Sequence, residues 1–223
     1  MRRERESRLF ENPFKPHLRL EQKFQKRGFQ LIAGVDEAGR GPLAGPVIAG
    51  AVILPSRIPS RSIIWQVRDS KLLNGKKRQE LFQEIMERAL AVGVGEASPE
   101  EIDRLNIFQA SLLAMERAVK ALKPEPDFCL VDGIAPLNSP PSLAVKKGDR
   151  LCLSIACASI IAKVVRDERM CQYHQLYPEY NFARNKGYAT REHKEALYKY
   201  GPCPIHRKSF LAVKISLERR GWK

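Results

Sequence analysis

The apolar run at residues 46–54, PVIAGAVIL, restricts the fold of this 223-residue chain more than any other segment. A run without alternating polar residues is typical of a strand that is covered on both faces. Residues 31–36, LIAGVD, form a second run of the same kind shortly before it. Strands of this type need helices on both sides of their sheet, so we predict an α/β fold.

Helix and strand patterns are intermixed along the rest of the chain. Helical spacing at 81–90 precedes a short strand pattern at 92–95, and Ser98-Pro99-Glu100-Glu101 has the capping-box pattern of a helix start. That helix is expected to continue through Val119, because Pro124 stops it soon afterwards. The later predicted elements are a strand at 128–131 and helices at 155–175 and 191–200. This order predicts a mixed β-sheet flanked by helices.

Residues 1–28 differ in character from the segment that follows them. They are charged and weakly periodic, and Pro13 and Pro16 interrupt them. We therefore predict a basic N-terminal extension with one helix around residues 18–26. Residues 29–223 are predicted to form the main domain, which includes a small helical C-terminal region at about 170–223.

The charge balance favours a polyanionic partner. Lys and Arg outnumber Asp and Glu by 39 to 25, which gives a net charge of +14. Residues 184–223 contain eleven basic and three acidic side chains, so +8 of that charge lies in this segment. A surplus of this size is typical of nucleic-acid binding, but it does not identify the partner.

The five cysteines are odd in number, form no CxxC pair and lie in or beside apolar runs. This usage predicts reduced, buried thiols in a cytoplasmic protein. Cys203 and His206 have the spacing of metal ligands, but no second pair completes the four ligands of a structural zinc site. The sequence has no leader pattern and no run of about 20 apolar residues, so we expect a soluble protein without a membrane span.

Carboxylates stand at the ends of two predicted strands. Asp36 and Glu37 follow the first apolar run, and Asp132 follows the strand at 128–131. Asp149 precedes another apolar segment. Together they supply hard oxygen donors from three chain segments, which Mg²⁺ and Mn²⁺ prefer, and two such ions suit phosphodiester hydrolysis.

Gly39, Arg40 and Gly41 directly follow the first two carboxylates. The glycines lack a Cβ, so we expect a bulky ligand to approach the backbone there, while Arg40 supplies charge for a phosphate. Asp167 is interpreted as a surface ion-pair residue because it lies well inside a predicted helix. The sequence contains no P-loop, no GxSxG and no HExxH motif, which leaves metal-assisted hydrolysis as the best-supported chemistry.

Seven motifs follow one another along residues 31–210. They are GVDEAGRGPLAGPV at 34–47, DSK at 69–71, LVDG at 130–133, KGD at 147–149, ASIIAK at 158–163, YPEYNFARNKGY at 177–188 and GPCPIHR at 201–207. In this order they resemble the motifs of the type 2 ribonuclease H family, bacterial ribonuclease HII in particular. Asn181 and Cys157 stand where the family pattern has smaller residues.

The resemblance implies an RNase H-like catalytic domain that uses Mg²⁺ or Mn²⁺, with two ions at the site. It assigns the catalytic metal ligands to Asp36, Glu37, Asp132 and Asp149. It assigns substrate contacts to Gly39, Arg40, Gly41, Ser70, Lys71, Ser159, Lys163 and Tyr188, the last as the residue that senses the RNA–DNA junction. For Ser159, a hydrogen bond to its own helix is the alternative.

The implied activity is endonucleolytic hydrolysis of RNA in RNA/DNA hybrids and at ribonucleotides embedded in duplex DNA, leaving 5′-phosphate and 3′-hydroxyl ends. Such an enzyme serves ribonucleotide removal during DNA replication and repair, and we expect a monomer. Two alternatives are a ribonuclease HIII-type enzyme and a non-catalytic hybrid-binding module. Arg40 and the short extension speak against the first, and the complete set of four acidic residues speaks against the second.

Overall fold

The computed structural model describes residues 15–67 and 73–218, which fold into one sheet between layers of helices. The strands are β1 (Ile32–Ala38), β2 (Val47–Ile53), β3 (Ala91–Ala97), β4 (Phe128–Asp132) and β5 (Ser142–Val145). The α-helices in these ranges are α1 (Arg19–Gln25), α2 (Gly75–Arg88), α3 (Pro99–Leu105), α4 (Ile107–Lys120), α5 (Leu153–Leu176), α6 (Phe182–Asn185), α7 (Arg191–Tyr200) and α8 (Leu211–Glu218). Short 3₁₀ turns lie at Ile63–Gln66, Gly148–Arg150 and Pro178–Tyr180.

The sheet has the strand order β3-β2-β1-β4-β5. The first three strands are antiparallel neighbours, whereas β4 pairs in parallel with β1 and β5 pairs in parallel with β4. The predicted mixed α/β sheet is therefore confirmed. Val35 pairs with Val131 across β1 and β4, so that the next residues, Asp36 and Asp132, lie side by side near the C-terminal ends of these two strands.

Two long helices cover the two faces of the sheet. Helix α4 packs over β1, β2 and β3, and helix α5 packs over β1 and β2 on the opposite face. The fit of α5 is close enough to require glycine beneath it. A Cβ on Gly34 would lie 2.2 Å from the carbonyl carbon of Ser154, and one on Gly50 would lie 2.5 Å from the Ala158 oxygen.

The helix predicted to run from Ser98 through Val119 is wrong in one respect, because it is two helices. The capping box is present as expected: Ser98 accepts from the Glu101 N–H, and Glu101 accepts from the Ser98 N–H. Asn106 then breaks the helix with φ 71° and caps α4, its side-chain oxygen accepting from the next turn. The Asn106 side chain accepts from the N–H groups of Phe108 and Gln109, and such local bonding to the backbone is typical of asparagine.

The described part of the N-terminal extension is packed on the main domain. Leu18 and Phe24 are buried, and Glu21 is only 5% exposed. The Glu21 carboxylate accepts hydrogen bonds from the Ser154 N–H at 3.0 Å and from the Ser154 hydroxyl at 2.7 Å. Because Ser154 lies in the first turn of α5, a residue of the extension caps the longest helix of the fold.

Four cysteines are buried free thiols as expected, but Cys171 is exposed, so the prediction is wrong for that residue. The interpretation of Asp167 as an ion-pair residue is confirmed, since its carboxylate lies 2.6 Å from Nζ of Lys163. Within residues 15–67 and 73–218, every helix is too short or too polar to cross a membrane.

Replacing Gly34 with alanine tests how tightly α5 is seated on the sheet. The new methyl group would collide with the helix backbone, so Gly34→Ala should lower the free energy of unfolding by about 1–3 kcal/mol. Gly75→Ala is the matched control, because nothing lies within 4 Å of its Cβ position and alanine favours a helix. Urea unfolding of both variants measures the difference, and equal stabilities would contradict the close packing.

Candidate active site

Asp36, Glu37 and Asp132 lie together where β1 and β4 end. Asp36 is 6% exposed and accepts hydrogen bonds from the Glu37 N–H at 2.7 Å and from the Ser159 hydroxyl on α5. Asp132 accepts from the Gly148 N–H at 2.6 Å, which joins the end of β4 to the turn at Gly148–Arg150. Rigid strand ends and backbone donors thus hold these carboxylates in place.

Burial and mutual repulsion perturb two of these carboxylates. Desolvation raises the pKa of Asp36 well above its ordinary value, and the neighbouring charges of Glu37 and Asp132 raise it further. Desolvation also raises the pKa of Glu37, with Arg40 acting in the opposite direction and Asp132 adding to the increase. The site therefore concentrates negative charge that the nearby Arg40 offsets only in part.

One carboxylate oxygen in this group has no protein partner. Oε1 of Glu37 accepts from Nη1 of Arg40 at 3.3 Å, whereas Oε2 is buried and makes no hydrogen bond. A buried, unpartnered oxygen among repelling carboxylates fits a divalent cation with hard oxygen ligands. No three His, Cys, Asp or Glu side chains of the described ranges are gathered tightly enough to enclose an ion by themselves, so the fit depends on donor chemistry.

Asp149, the fourth predicted ligand, is half-buried on the turn that Asp132 holds. It directly follows Gly148, whose N–H binds the Asp132 carboxylate. A Cβ on Gly148 would meet that carboxylate at 3.3 Å and a side-chain atom of Ile155 at 2.6 Å, so the turn approaches both closely. The structure thus places Asp149 next to the contact between Asp132 and the turn.

Arg207 fixes the loop that follows β1. Its side chain is buried, with 0% exposure, and its guanidinium binds four carbonyl groups of the loop at 39–46. The accepting oxygens are those of Gly39 at 2.6 Å, Arg40 at 3.0 Å, Gly45 at 2.9 Å and Pro46 at 3.2 Å. A planar guanidinium with five N–H donors suits such a set of acceptors.

Arg166 of α5 supports the same loop from beneath. It is 1% exposed and donates to the carbonyls of Ala44 at 3.3 Å, Pro46 at 3.1 Å and Lys186 at 3.1 Å. The contact to Lys186 ties the loop to the segment before α7. Two buried guanidinium groups therefore hold the predicted substrate-reading loop by its carbonyls.

Gly39 and Gly41 are glycine for different physical reasons. Gly39 has φ +102°, and a Cβ there would lie 2.1 Å from Nε of Arg166, so this glycine makes room for the buried arginine beneath the loop. Gly41 faces outward, and the one atom within 4 Å of its Cβ position is Cε1 of Tyr188 at 3.8 Å. Close approach of a ligand thus explains Gly41 better than Gly39.

Tyr188 lies beside Gly41 and is presented at the surface. Its exposed fraction is 43%, and its ring centroid is 5.9 Å from the guanidinium carbon of Arg166. The exposed side chain of Arg40 is on the same loop as Gly41. Three of the predicted substrate contacts, Arg40, Gly41 and Tyr188, are therefore exposed around this loop, whereas Gly39 is buried. Arg40 joins this surface to the carboxylates through its contact with Glu37.

A family model described as Ribonuclease HII matches residues 33–213 of this chain. The chain belongs to the ribonuclease HII family. A ribonuclease HII of Bacillus velezensis is 54% identical over 84% of this chain and 72% of its own length. A ribonuclease HII of a Geobacter species is 54% identical over 93% of this chain and 90% of its own length. The chain is thus an endoribonuclease of the ribonuclease H type.

A solved structure supports the same family assignment. The ribonuclease H2 of Pyrococcus horikoshii aligns with a TM-score of 0.74 and 28% identity, over 87% of this chain and 100% of that one. The RNase H-like fold expected from the motifs is therefore confirmed.

Other residues that the ribonuclease HII motifs implicate have varied surroundings. Ser70 and Lys71 lie outside the described residues. Ser159 is 8% exposed and bonds to Asp36, so it acts as a partner of a carboxylate. Lys163 is half-buried and paired with Asp167 at 2.6 Å, and desolvation lowers its pKa.

Sequence reasoning missed the buried residues beneath the loop. Arg166 reads as one more charge in the helical segment VVRDER, and Arg207 reads as part of the basic C-terminal segment. The motif GPCPIHR, which ends on Arg207, is the one signal that pointed there. His193 and His206 also lie beneath Tyr188, at 0% and 1% exposure.

Asp36→Asn should stabilise the metal-free protein. Because the folded state raises the pKa of Asp36, it binds more protons than the unfolded state, so stability falls as pH rises through that range. The gain in Tm should be present at pH 8, amount to about 2–4 °C per kcal/mol, and shrink toward pH 4 as the wild-type carboxyl gains its proton.

Calorimetry at several pH values, without and then with Mg²⁺ or Mn²⁺, measures this effect. Divalent ions should raise the Tm of the wild type more than that of Asp36→Asn, because they bind the folded state. Glu87→Gln, at an exposed position of α2, is the control and should follow the wild type. A variant less stable than the wild type at pH 8 would contradict the electrostatic account.

Proposed function

We propose that this protein is a divalent-metal-dependent endonuclease that cuts the RNA strand of RNA/DNA hybrids and cleaves at ribonucleotides embedded in duplex DNA. The products carry 5′-phosphate and 3′-hydroxyl ends, and the activity serves ribonucleotide removal in replication and repair. The observation that carries the proposal is the side-by-side position of Asp36 and Asp132 beside Glu37, whose Oε2 is buried without a partner.

The proposed chemistry divides between the ions and the chain. Asp36, Glu37, Asp132 and Asp149 would hold Mg²⁺ or Mn²⁺, which when bound supply activation of a water molecule and neutralise charge at the leaving oxygen. Ser159 and the Gly148 N–H keep two carboxylates oriented. Arg40 is exposed beside Glu37, and its guanidinium would pair with a substrate phosphate.

The surface charge supports a nucleic-acid substrate. Exposed lysines occur on α7, on α8 and on the segment between them, namely Lys194, Lys199, Lys208 and Lys214. Arg207 belongs to the same basic segment but is buried, so it contributes to the loop and not to this surface. Binding through such lysines should weaken with rising salt concentration.

Asp132→Asn should abolish turnover while hybrid binding persists. The substitution removes one negative charge from the proposed metal site but keeps the size of the side chain. Outer partners of metal ligands are worth roughly 10–100-fold, so loss of a ligand should lower the rate by at least about 100-fold. Single-turnover cleavage of a labelled RNA/DNA hybrid in Mg²⁺ measures the rate, and an electrophoretic shift measures binding.

The control for this experiment is the wild type in EDTA, which should be inactive and regain activity when Mg²⁺ is added in excess. Substantial Mg²⁺-dependent turnover by a folded Asp132→Asn protein would remove Asp132 from the site. Turnover by the wild type that persists in EDTA would contradict the proposed metal dependence.

Tyr188→Ala should impair cleavage at a single embedded ribonucleotide more than cleavage of a long hybrid. The exposed ring beside Gly41 offers a flat surface for the sugar or base next to the ribose hydroxyl. Stacking on an aromatic ring is worth about 1–3 kcal/mol per base, which corresponds to a rate loss of about 5–150-fold. Tyr188→Phe should lose less, because it keeps the ring.

Cleavage of two matched duplexes, one with a single ribonucleotide and one with at least four, measures this selectivity. Tyr198→Ala is the matched control, since Tyr198 is 44% exposed on α7. Unchanged Mg²⁺ affinity of Tyr188→Ala would show that the metal site is intact. Equal selectivity of Tyr188→Ala and the wild type would exclude the proposed junction role.

A further inference from the structure

Two buried histidines form a continuous hydrogen-bonded chain beneath Tyr188. Nδ1 of His193 lies 2.8 Å from the Tyr188 carbonyl oxygen, and Nε2 of His193 lies 3.0 Å from Nε2 of His206. Nδ1 of His206 lies 3.0 Å from the backbone nitrogen of Cys203. The chain thus leads from the Cys203 backbone to the Tyr188 backbone through two imidazole rings.

The ends of this chain determine which ring nitrogens carry hydrogen. The Cys203 N–H can only donate, so Nδ1 of His206 accepts and its Nε2–H donates to His193. The Tyr188 carbonyl can only accept, so Nδ1–H of His193 donates to it. When both rings are neutral, His193 is therefore the Nδ1–H tautomer and His206 the Nε2–H tautomer.

The surroundings keep both rings neutral. Burial lowers the pKa of His206 to about 3, with a further contribution from His193, and burial also lowers the pKa of His193. The rings of Tyr180 and Phe182 enclose the pair, with the Phe182 and His193 centroids 5.4 Å apart and the Tyr180 and His206 centroids 4.8 Å apart.

The charged and titratable neighbours do not change the direction of the hydrogen bonds in this chain. Burial raises the pKa of the Cys203 thiol to about 12, so the sulfur stays protonated. Arg207, the next residue after His206, directs its donors to the carbonyls of the loop at 39–46. A second proton on His206 would face the Cys203 N–H, and one on His193 would face Nε2–H of His206.

The chain ends on the backbone of a residue whose side chain faces outward. The Tyr188 carbonyl also accepts from the Thr190 N–H at 2.8 Å, and the Tyr188 N–H donates to the Asn185 carbonyl at 2.9 Å. With both backbone groups of Tyr188 held on the inner side, its exposed ring is directed toward Gly41.

We propose that His193 and His206 are positioning residues, whose directed hydrogen bond holds the Tyr188 backbone and thereby sets selectivity for an embedded ribonucleotide. The inference rests on the junction role proposed for Tyr188. Neither histidine touches substrate or metal in this scheme, and both act through Tyr188.

Two amide substitutions at position 193 separate the hydrogen bond from simple packing. Asparagine places its amide nitrogen where Nδ1 of histidine lies and can still donate to the Tyr188 carbonyl. Glutamine places its amide group near Nε2 and keeps only the contact to His206. His193→Gln should therefore lower the selectivity for a single ribonucleotide over a long hybrid by about tenfold, and His193→Asn by much less.

A double-substitution cycle tests whether the effect passes through Tyr188. Single-turnover rates on both duplexes are compared for His193→Gln, Tyr188→Ala and the combined variant, at a temperature where melting curves show all of them folded. If His193 acts through Tyr188, adding His193→Gln to Tyr188→Ala should change selectivity little further. Additive losses would overturn the proposal.

Nitrogen NMR of the wild-type imidazoles gives a readout independent of activity. Long-range ¹H–¹⁵N spectra should show His193 protonated at Nδ1 and His206 at Nε2 near neutral pH, and His193→Gln should remove the His193 signals and shift those of His206. Two results would refute the positioning role of the histidines alone. One is the opposite pair of tautomers, and the other is unchanged selectivity of His193→Gln while Tyr188→Ala loses selectivity. Unchanged selectivity in both His193→Gln and Tyr188→Ala would refute the junction role of Tyr188, and the positioning role of the histidines with it.

Discussion

Helix α5 lies against strands β1 and β2 at a distance that only glycine permits, and the other parts of the site take their positions from this contact. Gly34 and Gly50 give the helix its depth on the sheet. With that depth set, successive turns of one rigid helix present Ser159 to Asp36 and then Arg166 to the loop that follows β1. A change in the seating of α5 would displace a carboxylate partner and a loop support together.

The N-terminal helix α1 contributes to the same arrangement at the other end of α5. Glu21 places a carboxylate at the first turn, where free N–H groups and the helix dipole favour negative charge. Burial nevertheless raises the pKa of Glu21, and its Oε2 has no hydrogen-bond partner. Burying the Glu21 carboxylate is therefore unfavourable, and its hydrogen bonds to Ser154 offset part of this cost. The contact makes α1 part of the support for α5.

The strand ends and their carboxylates could be predicted because the apolar runs lead directly into Asp36, Glu37 and Asp132. Residue patterns alone could not show that Asp36 lies beside Asp132, since this depends on the register of two strands that pair in parallel, far apart in sequence. The family resemblance implied it by assigning both residues to one metal site. The capping-box pattern at Ser98 correctly predicted the start of a helix. Nothing in the sequence around Asn106 distinguished a helix break from a polar position within a helix. Local patterns report local structure, and pairing between distant segments requires the fold.

The burial of Arg166 and Arg207 could likewise not be predicted from the sequence. A basic residue in a charged segment is ordinarily exposed, so composition assigns both to the surface. Burial lowers the pKa of Arg207 to about 9, with a further contribution from Arg166, yet the group remains charged at neutral pH. An unpaired buried charge is unfavourable, and here the compensation comes from loop carbonyls, which no sequence pattern specifies.

The inward direction of those carbonyls determines what the loop shows to solvent. In a trans peptide the C=O and the following N–H point in opposite directions. Because Arg207 binds the carbonyls of Gly39 and Arg40, the N–H groups of Arg40 and Gly41 are directed away from the buried arginine, at two exposed residues. Outward N–H groups beside a cationic side chain form an anion-binding surface. In the proposed function this surface would receive a substrate phosphate, although the buried guanidinium itself would not contact it. A lysine at 207 would lack the planar fork needed to hold both carbonyls at once.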